Sequence, residues 1–276
     1  MNNLDIVDVD KSDLDVYDIL IQIHKSEYVN YIKDKSKELK DGETLFEDSH
    51  VEEGVVQDTP IIKDAYDIAA ASFQTAVTAA RNLENSSDYC NYAICRPPGH
   101  HAGPDWMGGC CYFNNAVGAV MELKRKGHKK VGLIDLDFHF GNGSSALLSD
   151  MDDVFFGSIH GSTIDNFPYK ETHEKADNQK FIPFSEEPTQ EEYCGSLQEL
   201  LDKAQSFGVS ALVVSIGYDI INGDPYGKWN FSTDIYCEIG KKLANFNKPL
   251  CLIQEGGYNS DDLAICSFNL IKNLME

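Results

Sequence analysis

From residue 61 onward, short apolar runs alternate with longer stretches in which apolar residues recur at helical spacing. Residues 61–83 form an alanine-rich helical pattern, and 92–97 a short strand. Residues 114–127 are a helix stopped by Gly127, and 129–137 an apolar strand. A second strand pattern follows at 153–160. Residues 189–208 predict a helix with the same glycine stop at Gly208, and 210–217 a strand. Another helix is predicted at 233–246, a strand at 248–257 and a closing helix at 261–274. Residues 41–60 are acidic and loop-like, and neither a repeat nor a low-complexity linker divides the chain. Strands buried on both faces and alternating with helices predict an α/β fold with a mainly parallel central sheet, built as one domain over residues 1–276.

In such sheets ligands bind beyond the carboxyl ends of the strands, and this chain's unusual polar residues fall there. "RPPGHH" follows the first strand and "DLDFH" ends the second. "SIH", "GYD" and "QEGGY" end the next three. The rim they form offers His100, His101, Asp135, Asp137, His139, Ser158, His160, Asp219 and Tyr258. Side chains two apart on a strand share a face, so Asp137 and His139 are expected to point together, with Asp135 one step deeper. A catalytic zinc needs three protein ligands and an open position, and Asp137, His139 and Asp219 supply nitrogen and oxygen donors from two strand ends. The tandem histidines suit general acid–base work. Tyr258, beside the Gly256–Gly257 pair, suits hydrogen bonding to a developing oxyanion.

The chain has 276 residues and a net charge of −22. That charge argues against a phosphate-backbone ligand and favours cationic substrates at long range. Eight cysteines include no C-x-x-C pair, and Cys110 and Cys111 are adjacent. With an acidic start that lacks a basic and apolar leader, this predicts a reduced, cytoplasmic protein. No apolar stretch approaches membrane-spanning length, so no membrane partner is expected.

"RPPGHHA", "GGCCYFNN", "DLDFHFGNG", "SIGYDIINGDPYG" and "EGGYN" together resemble the successive signatures of the zinc-dependent histone deacetylase and acetylpolyamine amidohydrolase family, with weaker similarity from "IHKSEYVNYI" onward. The resemblance implies a three-layer arginase/deacetylase-type fold and removal of an acetyl or similar acyl group from an acyl-lysine or acylated polyamine. It implies one zinc on Asp137, His139 and Asp219, His101 as the base, His100 as its electrostatic partner and Tyr258 as the carbonyl-polarising donor. Asp135 would bond His100, and Asn142 would hold His101. A structural potassium would sit on Asp135 and Ser158 with the backbone oxygens of Asp137, His139 and Ile159. Gly109, Phe167 and Gly257 would line the substrate tunnel.

Four departures accompany the resemblance. Phe140 replaces a second histidine, and Cys110 replaces a tunnel aromatic, which widens that wall. "YKETHEKADNQK" replaces a glycine-rich loop, and the segment before "IHKSEY" is shortened and recast. Two rival readings carry different tests. An arginase-like two-metal site needs a carboxylate where Gly141 stands. A non-catalytic acyl-lysine binder would hold zinc without turnover. Oligomeric state has no signature in the sequence.

Overall fold

The computed structural model describes residues 5–9, 16–83, 90–174 and 176–275. Much of the acidic N-terminus lies outside the described residues. In chain order the elements are α1 (Tyr17–Ile23), α2 (Ser26–Glu38), β1 (Thr44–Leu45), β2 (Ile61–Ile62), α3 (Ala65–Asn82), β3 (Cys90–Ala93), α4 (Asn115–Arg125) and β4 (Val131–Asp135). They continue with α5 (Asn142–Leu148), β5 (Val154–Gly161), β6 (Gln179–Phe184), α6 (Gln190–Phe207), β7 (Ala211–Ile216), α7 (Ile235–Asn245), β8 (Leu250–Gln254) and α8 (Ser260–Leu274).

Six strands pair in parallel in the order β3-β8-β7-β4-β5-β6, and β1 and β2 form a separate antiparallel pair. Every residue of β4, β5, β7 and β8 is buried, as expected of strands covered on both faces. On one side, Ala69, Phe73, Ala76 and Val77 of α3 pack with Val117 and Val120 of α4 against Leu133 and Val213. On the other, Leu197 and Leu200 of α6, Ile239 of α7 and Leu270 of α8 cover Val214 and Leu252. Small residues on α3 let α4 approach closely, and Glu122 of α4 bonds Arg81 of α3 at 2.7 Å.

The termini follow local chemistry. Thr189 and Glu192 form a reciprocal capping box at the start of α6, and Gly208 ends that helix in the left-handed region. β6 was not expected. Pro183 interrupts its apolar run, which the sheet tolerates because β6 is an edge strand. The first-strand expectation at 92–97 is shifted: pairing with β8 covers Cys90–Ala93, and the chain leaves the sheet before Arg96. Among the described residues no helix is long and apolar enough to cross a membrane.

The order of the sheet positions the site. From β4 the chain moves outward to β5 and β6 on one side, then returns to β7 and β8 on the other. The crevice beyond β4 and β7 is therefore the topological switch point, where α/β sheets hold their ligands.

Candidate metal centre and active site

Residues 136–141 leave β4 as a turn, so Asp137 and His139 meet for a different reason from the shared strand face expected above. The turn is folded by its own acids. Asp135 Oδ1 accepts from the Asp137 N–H (3.1 Å), and Asp137 Oδ1 accepts from the His139 N–H (2.9 Å). Asp219, just beyond β7, accepts through Oδ1 from the Phe138 N–H (3.0 Å) and ties the two strand ends together.

These bonds leave three donor atoms converging. His139 Nδ1 is 3.2 Å from Asp137 Oδ1 and 3.0 Å from Asp219 Oδ2. Ligand atoms held tetrahedrally at zinc distances are about 3.3 Å apart, so the spacing fits such an ion. Each carboxylate also has its far oxygen engaged: Asp137 Oδ2 takes the Gly256 N–H (2.9 Å), and Asp219 Oδ1 takes that of Phe138. Among the described residues, Asp137, His139 and Asp219 are the cluster able to hold a metal ion.

The electrostatics agree. Burial opposes charge on all three groups. His100 and His139 nevertheless hold Asp137 ionised, below the usual carboxylate range. Burial and the charge of Asp137 push Asp219 up to about 7. Against burial, the two carboxylates raise His139 to about 9. The cluster thus holds protons that a divalent cation would displace.

The tandem histidines sit on this centre with different partners. His100 Nδ1 lies 3.0 Å from Asp135 Oδ2, and its Nε2 lies 3.7 Å from Asp137 Oδ1. Burial lowers its basicity, but Asp137 and Asp135 outweigh that and push it up to about 10. His101 Nδ1 meets Asn142 Oδ1 at 2.7 Å. Burial and then the charge of His100 hold its basicity well below the ordinary value. One imidazole is held cationic and its neighbour neutral, with ring centroids 3.9 Å apart. Such a split between adjacent groups is how acid and base roles are assigned.

Tyr258 follows the β8 end, two residues after the Gly256 N–H that bonds Asp137. Its ring packs edge-on against Tyr226 (4.8 Å), with the Arg96 guanidinium 5.3 Å from its centroid. Gly257 has φ +122, where a side chain would strike Tyr218. Phe167 stands edge-on to His101 at 4.6 Å, and Gly109, at φ +53, lies so close that a Cβ there would enter the His101 ring. Cys110 is exposed beside them and also borders an apolar groove of about 260 Å³ with Ile62, Pro97 and Tyr258.

The two side chains expected at a potassium site are hydrogen-bonded. Asp135 is engaged by His100 and the Asp137 N–H, and the Ser158 hydroxyl meets His160 Nδ1 at 2.9 Å. His160 lies apart from the three converging donors, its ring packed on Phe140 (4.7 Å).

Three acidic residues escaped the sequence reading. Glu255 is buried at the end of β8 and accepts from the backbone N–H groups of Gly99 (2.7 Å) and His100 (3.2 Å) and from Ser215 Oγ (2.9 Å). Burial pushes it up to about 7. Asp224 accepts from the N–H groups of Tyr258 (2.7 Å) and Asn259 (3.2 Å) and fixes the tyrosine loop. Glu52 meets Asn142. A carboxylate directly before Gly-Gly at the end of an apolar strand was a usable signal for Glu255. The other two sit in polar loops that read as solvated charge.

The sequence matches the histone deacetylase domain over residues 4–274. The chain belongs to the histone deacetylase family. Within that family it is 33% identical over 224 residues, 79% of this chain and 65% of the relative, to an acetylpolyamine amidohydrolase of Mycoplana ramosa. It is 31% identical over 223 residues, 78% of this chain and 64% of the relative, to acetylpolyamine amidohydrolase 1 of Pseudomonas aeruginosa. The chain therefore spans just under two thirds of the length of these curated relatives. The crystal structure of an acetylpolyamine aminohydrolase from Burkholderia pseudomallei shares the fold, with TM-score 0.85 and 24% identity over 95% of this chain and 83% of that one.

In this deacetylase-family chain Phe140 is an accommodated apolar neighbour. It is 2% exposed and packs between His160 and Phe181, each ring 4.7 Å away. If the chain is catalytic, Phe140→His is expected to change kcat by less than about tenfold, below the 10–100-fold typical of losing an outer partner, because the three converging donors are untouched. A gain of several orders of magnitude would show that the phenylalanine had disabled the site.

Proposed function

We propose that this chain, acting as one catalytic domain, is a zinc-dependent amidohydrolase that removes acetyl, or a similar acyl group, from a cationic amine. The observation that carries this reading is the convergence of Asp137, His139 and Asp219 beside a neutral His101 and a cationic His100. When bound, zinc would lower the pKa of water to near neutrality and polarise the scissile carbonyl. His101 takes the proton of the attacking water at Nε2, since its Nδ1 is committed to Asn142. His100, cationic between Asp135 and Asp137, favours the negative charge that develops beside it. The Tyr258 hydroxyl donates to the carbonyl oxygen as that oxygen becomes an oxyanion. Gly109, Phe167 and Cys110 border the approach, and the exposed Cys110 widens it. A structural potassium at the β4 and β5 ends, on Asp135 and Ser158, belongs to this reading. So does a cytoplasmic location, which suits eight unpaired thiols.

Among candidate substrates we favour small acetylated polyamines over acetyl-lysine proteins, because the first two relatives above are named acetylpolyamine amidohydrolases and the chain carries −22. The deciding experiment is turnover of acetylputrescine, acetylspermidine and acetyl-lysine peptides, with and without a chelator. No turnover of any by the zinc-loaded protein would refute the activity. Charge makes a further prediction. Long-range attraction is screened beyond the Debye length, about 8 Å at physiological salt. So kcat/KM for acetylspermidine should fall as salt rises, while a neutral acetyl-lysine analogue responds little. Parallel curves for both would mean that the acidic surface does not steer substrate.

A further inference from the structure

We propose that Glu52 is a positioning residue that sets the tautomer of His101 through the side-chain amide of Asn142. The proposal rests on His101 being the base in the reading above. Three contacts form a chain from the imidazole outward. His101 Nδ1 lies 2.7 Å from Asn142 Oδ1, Asn142 Nδ2 donates to Glu52 Oε2 at 2.7 Å, and Lys170 Nζ donates to Glu52 Oε1 at 2.6 Å.

The order of donors and acceptors along this chain has one solution. An ionised carboxylate accepts and cannot donate, so the edge of Asn142 that faces Glu52 must be its NH2. The carbonyl of the same amide then faces His101, and Nδ1 must carry the proton. A neutral imidazole has one such proton, which leaves Nε2 with a free lone pair. That is the tautomer a base needs. Without a directing partner an amide presents oxygen or nitrogen almost equally well, and the reversed amide would stabilise the proton on Nε2, where it blocks proton uptake.

Glu52 is held for this task. Its side chain is 14% exposed. Lys170 also donates to the Glu53 carbonyl (3.1 Å), while the carbonyl of His50, two residues earlier, accepts from the Met107 N–H (3.0 Å). Lys170 belongs to the segment after Phe167–Pro168 where the family's glycine-rich loop was expected. The substituted loop thus supplies the cation that orients Glu52.

The partners make a reciprocal test possible. In Glu52→Gln the new amide turns its oxygen to Lys170 and its NH2 to Asn142, which reverses the Asn142 amide. This variant is expected to lower kcat at least about tenfold, the scale of outer-partner losses, with KM within about twofold. In ¹⁵N NMR the His101 signal should move from the Nδ1–H form towards the Nε2–H form. Asn142→Asp alone sets two carboxylates against each other and is also expected to lose activity. The double variant restores a donor between them: the glutamine NH2 faces the aspartate, whose other oxygen still accepts from His101 Nδ1. Its kcat should therefore exceed that of Asn142→Asp by about tenfold, again the scale of an outer partner.

A purely structural contribution of Glu52 would make the two losses multiply, and that result overturns the proposal. So does an unchanged Nδ1–H signature in Glu52→Gln. The NMR measurement needs no turnover. A wild-type protein inactive on every acetylated amine would refute the amidohydrolase reading while this assignment is still decided by the spectra.

Discussion

Tyr258→Phe is expected to lower kcat by about 10²–10³-fold, the cost of removing one preorganised oxyanion donor, or roughly 3–4 kcal/mol. The substitution should take away the hydroxyl and little else. The backbone of Tyr258 is fixed by Asp224 Oδ2 at 2.7 Å, and its ring is placed by Tyr226 and Arg96, contacts a phenylalanine ring keeps. Burial pushes the phenol above its ordinary pKa, so it stays protonated and able to donate across the working range. Bound metal and KM should therefore change little while kcat collapses. Steady-state kinetics with metal analysis of both proteins read this directly. An unchanged kcat would take Tyr258 out of the mechanism.

Most of the frame was legible because burial on both faces leaves a plain mark in sequence. β4, β7 and β8 are mostly apolar, β5 opens on an apolar run before Ser158 and His160, and α6 announces itself through Thr189, Glu192 and Gly208. What was missed has physical causes. α1 and α5 have seven residues each, too few to establish a helical period. α2 did carry its period in Tyr28, Val29 and Ile32, all buried, but among many charges. The three expected donors converge, but for a geometric reason other than the one expected. A strand predicts that Asp137 and His139 share a face, whereas N–H groups that donate back to the carboxylates two residues earlier curl the chain so that both meet Asp219.

The supporting acids show the limit of reading one sequence. Asn142 finds Glu52 across 90 residues, and Tyr258 finds Asp224 across 34. No local spacing encodes either contact. Both acids sit in polar loops where charge needs no explanation until the fold brings a partner to it. The glycine-rich loop replaced by "YKETHEKADNQK" shows the same thing from the other side, since Lys170 gains a role only once Glu52 is beside it.

Asp219→Asn should abolish tight zinc binding and, with it, turnover. The wild-type chain should hold one zinc, since Gly141 offers no donor for a second. An amide at position 219 still accepts from the Phe138 N–H, so the turn keeps its shape while the centre loses an anionic ligand. The loss should exceed the 10–100-fold typical of an outer partner. In the wild type, binding must displace protons held on His139, at about 9, and on Asp219, at about 7. Apparent affinity should therefore fall as pH is lowered, by roughly one decade per pH unit from 9 to 7 and more steeply below. Free zinc at about 100 times Kd should stabilise the wild type by about 2.7 kcal/mol and leave Asp219→Asn unmoved. Calorimetric titration across pH and melting curves with and without zinc measure both halves. A variant that binds zinc as tightly as the wild type would show that the ion sits elsewhere.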